Sequence, residues 1–451
     1  MGSTSDSAYD IKHTDTPNDN HTNGNSTTRP IILHLGDPIL YNHALYSQFS
    51  LKYDIIQPPP SSLQRSVFKK HLEDKTWGDF AATIRPFWNT GGEMGRWDRE
   101  LIELLPSSMQ VMASAGAGFD WVDTGVLAEF GILYCNGAHA STESVADMAL
   151  WHIISVFRHM TWSCVAARSN SPTEWTGAHQ QIPFASHNPR DHTLGIIGLG
   201  NIGHAIAKKV RAALGMKIIY YDIIQKKPEM ERQSDATFYS SMEEVLSLSD
   251  CVLIATPYTT RPILNAHTLS LLPKGARVVN IARGICIDED ALADALDSKH
   301  ISAAGLDVHM HEPRVSERLS KMRNVTLTCH TGGGSIETAM GFEKLVMQNV
   351  EAVLEGRQAL TAVNQGLVDD YFHSENAKET NGVHGHDVNG ANVNGESLST
   401  NGETIRAESQ STNGETIKAE SLSANGETIN GALEPFAETS KEPSSTAVGN
   451  T

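Results

Sequence analysis

The chain has 451 residues, of which 53 are Asp or Glu and 35 are Lys or Arg, and its formal net charge is −18. This acidity disfavours nucleic acid and anionic membranes as partners, and no apolar run is long enough to span a bilayer. The five cysteines are scattered singly, without the CxxC spacing of a metal site. We therefore expect a cytoplasmic protein with reduced core thiols, no metal, and no nucleic-acid or membrane partner.

Residues 1–28 and 370–451 differ from the rest of the chain in composition. Both stretches are dominated by small polar residues, and the second repeats a twelve-residue unit from Ser399 whose first copy is STNGETIRAESQ. Each unit holds too few large apolar side chains to build a core. We expect both stretches to be disordered tails, which leaves roughly 340 residues between them, enough for two domains.

Strand-like apolar runs alternate with helical patterns between these tails. Three runs precede a long helical stretch at 144–167, and five follow it before a second helical stretch at 336–355. In chain order the runs begin at Ile31, Tyr53, Val111, Leu194, Lys217, Cys251, Arg277 and Asn324. This alternation predicts α/β domains in which helices wind around parallel sheets.

The run LGIIGLGNIGHAIAK leads from an apolar strand through three glycines into an Ala- and Ile-rich helix. Gly198 permits a tight turn, Gly200 lets the backbone approach a pyrophosphate, and Gly203 allows close contact between helix and strand. Asp222 follows Gly203 by nineteen residues. A carboxylate at this spacing accepts ribose hydroxyls and repels a 2′-phosphate. We predict a dinucleotide site that prefers NAD to NADP.

The glycine motif begins in the middle of the chain, so a separate domain precedes it. We expect two doubly wound parallel-sheet domains, with a Rossmann-like cofactor domain at 161–334 inserted in a flavodoxin-like substrate domain. The substrate domain comprises residues 29–160 and a returning helix within 335–369. The helical stretch 144–167 is expected to cross between the two domains.

Three loops that follow strands carry side chains suited to catalysis. Arg283 follows VVNIA, Glu312 lies in AGLDVHMHEP, and His330 ends VTLTCH. Reduction of a 2-oxo acid requires a cation that binds the substrate, a proton donor, and a carboxylate that keeps the donor protonated. Each residue taken singly also fits a structural role. Their order after the glycine motif favours catalysis because the chain resembles a family of dehydrogenases with the same order.

The motifs GLGNIG, NIARG, AGLDVHMHEP and CHTGGGSIET resemble those of the D-2-hydroxyacid dehydrogenase family, and the match covers residues 29–370. The resemblance implies that Arg283 binds the 2-oxo acid, that His330 is the acid/base, and that Glu312 pairs with His330 and stabilises its protonated form. It also assigns binding residues. Substrate contacts fall on Ala117, Gly118, Asn136 and Arg283, and NAD contacts on Gly198, Gly200, Asn201, Ile202, Gly203, Asp222, Thr256, Pro257, Ala282, Arg283, Asp307, His330 and Gly332.

Within the family, segments such as AGAGFDWVD and VTLTCHTGGGSIET resemble the fungal mandelate dehydrogenases, which reduce benzoylformate and other bulky 2-oxo acids with NADH. Phe87, Trp88 and Trp97 lie where the family lines its side-chain pocket, although core positions explain them equally well. Arg85 is a candidate to bind a second acidic group. We expect an aromatic or branched substrate, with glyoxylate or hydroxypyruvate as the alternative.

Two further expectations come from the resemblance. The family implies a homodimer joined through the nucleotide domain. Corepressors similar to these dehydrogenases keep the fold while binding partner peptides, so a non-enzymatic NAD(H) sensor is the alternative from another class. The polar tails fit docking or spacing segments of such a sensor, although tails without a function are the explanation we favour. Turnover at ordinary enzyme rates distinguishes the dehydrogenase from the sensor.

Overall fold

A computed structural model describes residues 29–371, so the predicted tails lie outside the described residues apart from positions 370 and 371. The strands are β1 (Ile31–His34), β2 (Asp54–Ile56), β3 (Ala82–Arg85), β4 (Val111–Ser114), β5 (Leu133–Cys135), β6 (Thr193–Ile197), β7 (Lys217–Tyr221), β8 (Ala236–Phe238), β9 (Cys251–Ile254), β10 (Ala276–Asn280), β11 (Ile301–Leu306) and β12 (Val325–Leu327). The α-helices are α1 (His43–Lys52), α2 (Arg65–Glu73), α3 (Arg99–Ile102), α4 (Thr124–Glu129), α5 (Ala138–Arg158), α6 (Met160–Arg168), α7 (Pro172–Ala185), α8 (Asn201–Leu214), α9 (Pro228–Ser234), α10 (Met242–Leu248), α11 (Ala266–Leu271), α12 (Glu289–Asp297), α13 (Glu317–Ser320) and α14 (Ile336–Leu354). Two short 3-10 helices span Pro60–Ser62 and Gly284–Cys286.

The described strands form two wholly parallel sheets. The first has the order β2-β1-β3-β4-β5, and the second has the order β12-β11-β10-β9-β6-β7-β8. The first order is flavodoxin-like, and the second is the Rossmann order, which reverses between β6 and β9. Ligands of such sheets bind beyond the carboxyl ends of the strands near the reversal. The predicted fold class is therefore confirmed.

Helices cover both faces of each sheet, which explains why several strands are continuous apolar runs. Every residue of β4, β9 and β10 is buried. α5 packs against α8 beside the second sheet and against α14 beside the first. α14 buries Val346, Met347 and Val350 in one core with Ile32 and Ile84. The chain therefore returns to its first sheet after it completes the second, while the residue boundaries of the domains stay predictions.

The helical stretch predicted at 144–167 consists of two helices. α5 begins before the predicted start, and it ends at His159, which adopts a left-handed conformation with φ 50° before α6 begins. Periodicity missed this break because apolar residues continue on both sides of it. The predicted runs leave out three short strands, β3, β5 and β8.

The expectation that all the cysteines are core thiols is wrong. Cys135, Cys251 and Cys286 are buried, but Cys164 on α6 and Cys329 beyond β12 are exposed. Burial raises the pKa of the Cys135 and Cys251 thiols to about 12, so these two are unreactive. Within residues 29–371, no helix is long and apolar enough to cross a membrane, and no cluster of His, Cys, Asp and Glu suits a metal ion.

Candidate active site

The glycine loop joins β6 to α8 where the strand order reverses. Gly198 has φ +98°, and a Cβ there would lie 2.8 Å from the carbonyl oxygen of Ala255. A Cβ on Gly203 would lie 2.2 Å from the Gly198 carbonyl oxygen, whereas one on Gly200 would meet nothing within 4 Å. No side chain caps the N-terminus of α8. The turn and the helix contact therefore require glycine, and open space beside the helix N-terminus fits a pyrophosphate.

Polar groups around this loop fit the nucleoside part of a dinucleotide. Asp222, which follows β7, accepts the Leu199 amide at 2.9 Å through Oδ2 and pairs through the same oxygen with Lys226 Nζ at 2.9 Å. Its Oδ1 has no partner among the described residues. Thr256, in the loop after β9, has a buried hydroxyl that is likewise unpartnered within 29–371. Pro257 is exposed beside it. A bound nucleoside would use both the free acceptor and the orphaned hydroxyl.

Arg283 lies in the loop after β10. Its Nε donates to Asp120 Oδ1 at 3.0 Å, and its Nη1 donates to the Ala282 carbonyl oxygen at 2.8 Å. Buried Asn280 fixes this loop, because its side chain donates to the Arg283 carbonyl and accepts the Ala282 amide. Nη2 has no partner in the described part of the chain and lies 1.2 Å from where a Cβ on Gly118 would stand. One nitrogen of the guanidinium therefore remains available to an anionic ligand.

Asn136 braces the loop that faces Arg283. Its Nδ2 donates to the Ala117 carbonyl oxygen at 2.8 Å, and the side chain is buried. Its own backbone is fixed by Thr361, whose hydroxyl donates to the Asn136 carbonyl at 2.6 Å. Asn136 thus positions the backbone around Ala117 and Gly118. Its predicted direct contact with substrate stays a prediction.

His330 and Glu312 form a hydrogen-bonded pair in neighbouring loops. His330 Nδ1 lies 2.8 Å from Glu312 Oε2, and Oε1 of the same carboxylate accepts the His309 amide at 2.9 Å. A Cβ on Gly284 would lie 2.0 Å from the His309 carbonyl, so the Arg283 loop packs against the Glu312 loop. The His330 side chain is 46% exposed, and its Nε2 has no partner within the described residues. Nε2 is therefore the ring atom able to exchange a proton with a ligand.

Asp307 holds the backbone of the His330 loop. Its Oδ1 accepts the Thr331 amide at 2.9 Å, and its Oδ2 accepts the Gly332 amide at 2.8 Å. Its carbonyl accepts the His330 amide at 2.7 Å. These bonds support His330 at φ 53°, a left-handed conformation that is costly for a residue with a side chain. Asp307 is buried, and its predicted contact with the nicotinamide stays a prediction.

A buried chain of hydrogen bonds continues from Asp307 to α5. Thr328 Oγ1 donates to Asp307 Oδ1 at 2.6 Å and accepts from His152 Nε2 at 3.0 Å. Burial lowers the pKa of His152 to about 4, so the ring is neutral and carries its proton on Nε2. Sequence reasoning missed both residues because a hydroxyl after a strand and a His within an apolar helix resemble ordinary core positions.

The predicted catalytic residues meet because β10, β11 and β12 are neighbours in the second sheet. Arg283, Glu312 and His330 follow these three strands in that order, at the carboxyl edge. Asn201 and Ile202 are the first two residues of α8, beside the glycine loop.

Among the pocket candidates, Trp97 is fully buried in the core of the first sheet and is not part of a pocket. Sequence analysis did not single out Asp120, in the loop after β4, or Asn280, the last residue of β10.

The fold and this site define an NAD-dependent oxidoreductase, and comparison with known proteins agrees. Residues 150–332 match the model of the D-isomer specific 2-hydroxyacid dehydrogenase NAD-binding domain. Glyoxylate reductase of Pyrococcus horikoshii is 35% identical over 60% of this chain and 81% of its own length. For 4-methyl-2-oxopentanoate reductase A of Aspergillus oryzae the identity is 34%, over 66% of this chain and 88% of that protein. The apo crystal structure of Rhodotorula graminis D-mandelate dehydrogenase is 41% identical, with a TM-score of 0.71 over 74% of this chain and 98% of its own.

The chain belongs to the D-isomer specific 2-hydroxyacid dehydrogenase family. It is therefore an enzyme that reduces a 2-oxo acid, and the resemblance inferred from its motifs is confirmed. The predicted cofactor, NAD, is confirmed by the match to the NAD-binding domain. None of these relatives supports the non-enzymatic sensor.

Proposed function

We propose that this dehydrogenase reduces a bulky, aromatic or branched 2-oxo acid such as benzoylformate to the D-2-hydroxy acid with NADH. The observation that carries the proposal is a pair of free nitrogen atoms on the two loops that flank the Glu312 loop. Arg283 Nη2 faces Gly118, and His330 Nε2 is free while its other ring nitrogen pairs with Glu312. The first nitrogen suits an anion and the second suits proton transfer.

Arg283 binds the carboxylate and the carbonyl oxygen of the 2-oxo acid. Its Nε and Nη1 are already bonded to Asp120 and Ala282, so its orientation is set before substrate arrives. Nη2 then stabilises negative charge that develops on the carbonyl oxygen. The backbone of Ala117 and Gly118, on the facing loop, holds the substrate carboxylate.

His330 supplies and removes the proton. The glycine loop would hold NADH, which would be the source of the hydride for C2 of the substrate. Protonated His330 donates from Nε2 to the carbonyl oxygen as charge builds there, while Glu312 stabilises the imidazolium through Nδ1. In the reverse direction, neutral His330 accepts the proton of the hydroxyl group.

The proposed preference for a large substrate side chain rests on an aromatic surface beside the loop that holds Ala117 and Gly118. Trp88 is 40% exposed and packs edge-on against Phe342, with 5.7 Å between the ring centroids. Phe342 lies 2.4 Å from where a Cβ on Gly137 would stand, and the Gly137 amide donates to the Gly116 carbonyl at 2.7 Å. The indole is thereby connected to the backbone that precedes Gly118. Such a surface favours an aromatic or branched side chain over glyoxylate, which has none.

Arg85 supports the same preference because its guanidinium already donates to carbonyl groups of its own loop. Its Nε donates to the Thr90 carbonyl at 2.9 Å, its Nη2 donates to the Trp88 carbonyl at 2.6 Å, and its guanidinium lies 4.9 Å above the Trp121 ring. Burial lowers the pKa of this guanidinium. We therefore assign Arg85 to positioning Trp88 rather than to binding a second acidic group of the substrate.

The enzyme is proposed to act as a homodimer in the cytoplasm. Large exposed apolar side chains occur on α5, α6 and α7, namely Trp151, Val165, Trp175 and Phe184, and a monomer rarely leaves a large apolar surface uncovered. Light scattering on the purified protein should give the mass of two chains, and a monomer would refute the proposed homodimer.

The proposed domain boundaries, 29–160, 161–334 and 335–369, are tested by limited proteolysis.

The substrate proposal is tested by NADH oxidation against a panel of 2-oxo acids. We expect kcat/KM for benzoylformate, phenylpyruvate and 4-methyl-2-oxopentanoate to exceed that for glyoxylate and hydroxypyruvate by at least about tenfold, since burial of one larger apolar group stabilises binding by about 1.5–3 kcal/mol. A preference for glyoxylate would overturn the pocket assignment. NAD binding without turnover of any compound would favour the alternative hypothesis of a non-enzymatic NAD(H) sensor.

Replacement of the exposed indole separates the pocket from the chemistry. Trp88→Ala should lower kcat/KM for benzoylformate by about tenfold and leave glyoxylate reduction within about twofold, because only the larger substrate contacts the ring. Trp88→Phe should retain most of the preference. Phe130→Ala is the matched control, since Phe130 is also exposed and aromatic but ends α4.

A further inference from the structure

The carboxylate predicted to select NAD is paired with a lysine. Asp222 Oδ2 lies 2.9 Å from Lys226 Nζ, and the two side chains are only 13% and 25% exposed. Asp222 Oδ1 has no partner within residues 29–371 and is the oxygen left for a ribose hydroxyl. A positive charge therefore stands beside the position where the adenosine ribose of the cofactor would bind.

The segment after β7 fixes this lysine in place. The Lys226 amide donates to the buried hydroxyl of Tyr220 at 3.0 Å, and that hydroxyl donates to Glu231 Oε1 at 2.7 Å. The Gln225 side chain donates to the same carboxylate oxygen at 3.0 Å. The backbone of Lys226 is therefore anchored at a core tyrosine, and the ion pair with Asp222 directs its ammonium group to that carboxylate.

The electrostatic consequence concerns the 2′-phosphate that distinguishes NADPH from NADH. An unpaired carboxylate at this position repels the phosphate. The ammonium of Lys226 offsets the charge of that carboxylate and is a donor for phosphate oxygens beside it. We propose that Lys226 is a cofactor-specificity residue that admits a 2′-phosphate, so that the enzyme uses NADPH as well as NADH, with NADH preferred. This inference rests on the proposed ribose site at Asp222.

Binding measurements test the inference without turnover. Calorimetry on the full chain would compare ADP-ribose with 2′-phospho-ADP-ribose for the unmodified enzyme and for Lys226→Met, Lys226→Arg and Lys227→Met. We expect Lys226→Met to weaken binding of the 2′-phospho compound by about tenfold. Lys226→Arg should restore that binding. Lys227→Met is the control, because Lys227 is exposed and forms no ion pair in the described part of the chain.

Three results would contradict the proposed role of Lys226 or the ribose site at Asp222. Equal loss in Lys226→Met and Lys227→Met would mean that only general positive charge matters. Tighter ADP-ribose binding in Lys226→Met, with the 2′-phospho compound unchanged, would show that Lys226 merely competes for Asp222. Failure of the unmodified enzyme to bind ADP-ribose would refute the ribose site itself, whatever the variants do. NADPH-dependent and NADH-dependent kcat/KM values should follow the same ratios as the two Kd values.

Discussion

Arg283 and Asp120 form an ion pair that joins the two sheets, with the Nε of the guanidinium 3.0 Å from Oδ1 of the carboxylate. Asp120 follows β4 of the first sheet, whereas Arg283 follows β10 of the second. The two side chains are 26% and 34% exposed. The pair orients the guanidinium towards Gly118 and links the loop after β4 to the loop after β10 before any substrate binds.

Asp120→Asn tests whether this pair positions Arg283. The amide keeps the size of the side chain and removes its charge, so we expect kcat/KM to fall by about tenfold, mostly through KM, as the guanidinium loses its fixed orientation. The free energy of unfolding should change by less than about 1 kcal/mol, because the pair is partly exposed. Asp79→Asn, which removes a surface partner of Lys75, is the kinetic control. Unchanged KM in Asp120→Asn would contradict the positioning role.

Gly118→Ala should displace Arg283 without unfolding the protein. The new methyl group would lie 1.2 Å from Nη2 of the guanidinium, which is the far end of a flexible side chain, and Gly118 has no left-handed φ to strain. We expect kcat/KM to fall by at least about a hundredfold because the displaced guanidinium of Arg283 no longer binds the substrate. Thermal unfolding should shift little. In Gly366→Ala, where a Cβ meets nothing within 4 Å, both quantities should stay unchanged. A fully active Gly118→Ala enzyme would remove Arg283 from substrate binding.

The sequence was sufficient to predict that Arg283, Glu312 and His330 lie at one edge of a sheet, because each of them follows a strand of a parallel sheet. Arg283, Glu312 and His330 sit on successive loops, and adjacent strands bring those loops together. The glycine loop was predictable for a similar reason, since its steric requirements are local. The residues that determine a backbone turn or a strand end lie within a few positions along the chain, so a single sequence is enough to predict such features.

The positioning residues were not predictable because their partners are distant in the sequence. Asp120 lies 163 positions from Arg283, and His152 lies 176 positions from Thr328. Neither residue type stands out where it occurs: Asp120 lies within a loop, and His152 lies within an apolar helix. Only the packing of α5 against β11 and β12 shows what His152 contacts. Such relationships depend on tertiary packing, which local patterns do not encode.

Glu312→Gln tests the pairing of Glu312 with His330. The carboxylate accepts the Nδ1 proton at 2.8 Å and so orients the ring with Nε2 towards the substrate. The amide has no negative charge beside the ring, so we expect kcat for reduction and for oxidation of the hydroxy acid to fall by at least about tenfold. Steady-state rates measured in both directions check this. Unchanged rates in the variant would disprove the pairing.

Two buried histidines should make the fold sensitive to acid. Burial lowers the pKa of His34 and of His152 to about 4, whereas the unfolded chain titrates near 6.5. Unfolding therefore takes up protons between about pH 6.5 and 4, so the stability contributed by each neutral ring is present above pH 6.5 and is lost as pH falls through this window. Each histidine should contribute a slope of up to about 1.4 kcal/mol per pH unit. Chemical denaturation at pH 4.5 to 7 should show a smaller slope for His152→Gln. The exposed His267→Gln should keep the slope of the unmodified protein, and an equal slope in His152→Gln would mean that folding does not lower the pKa of His152.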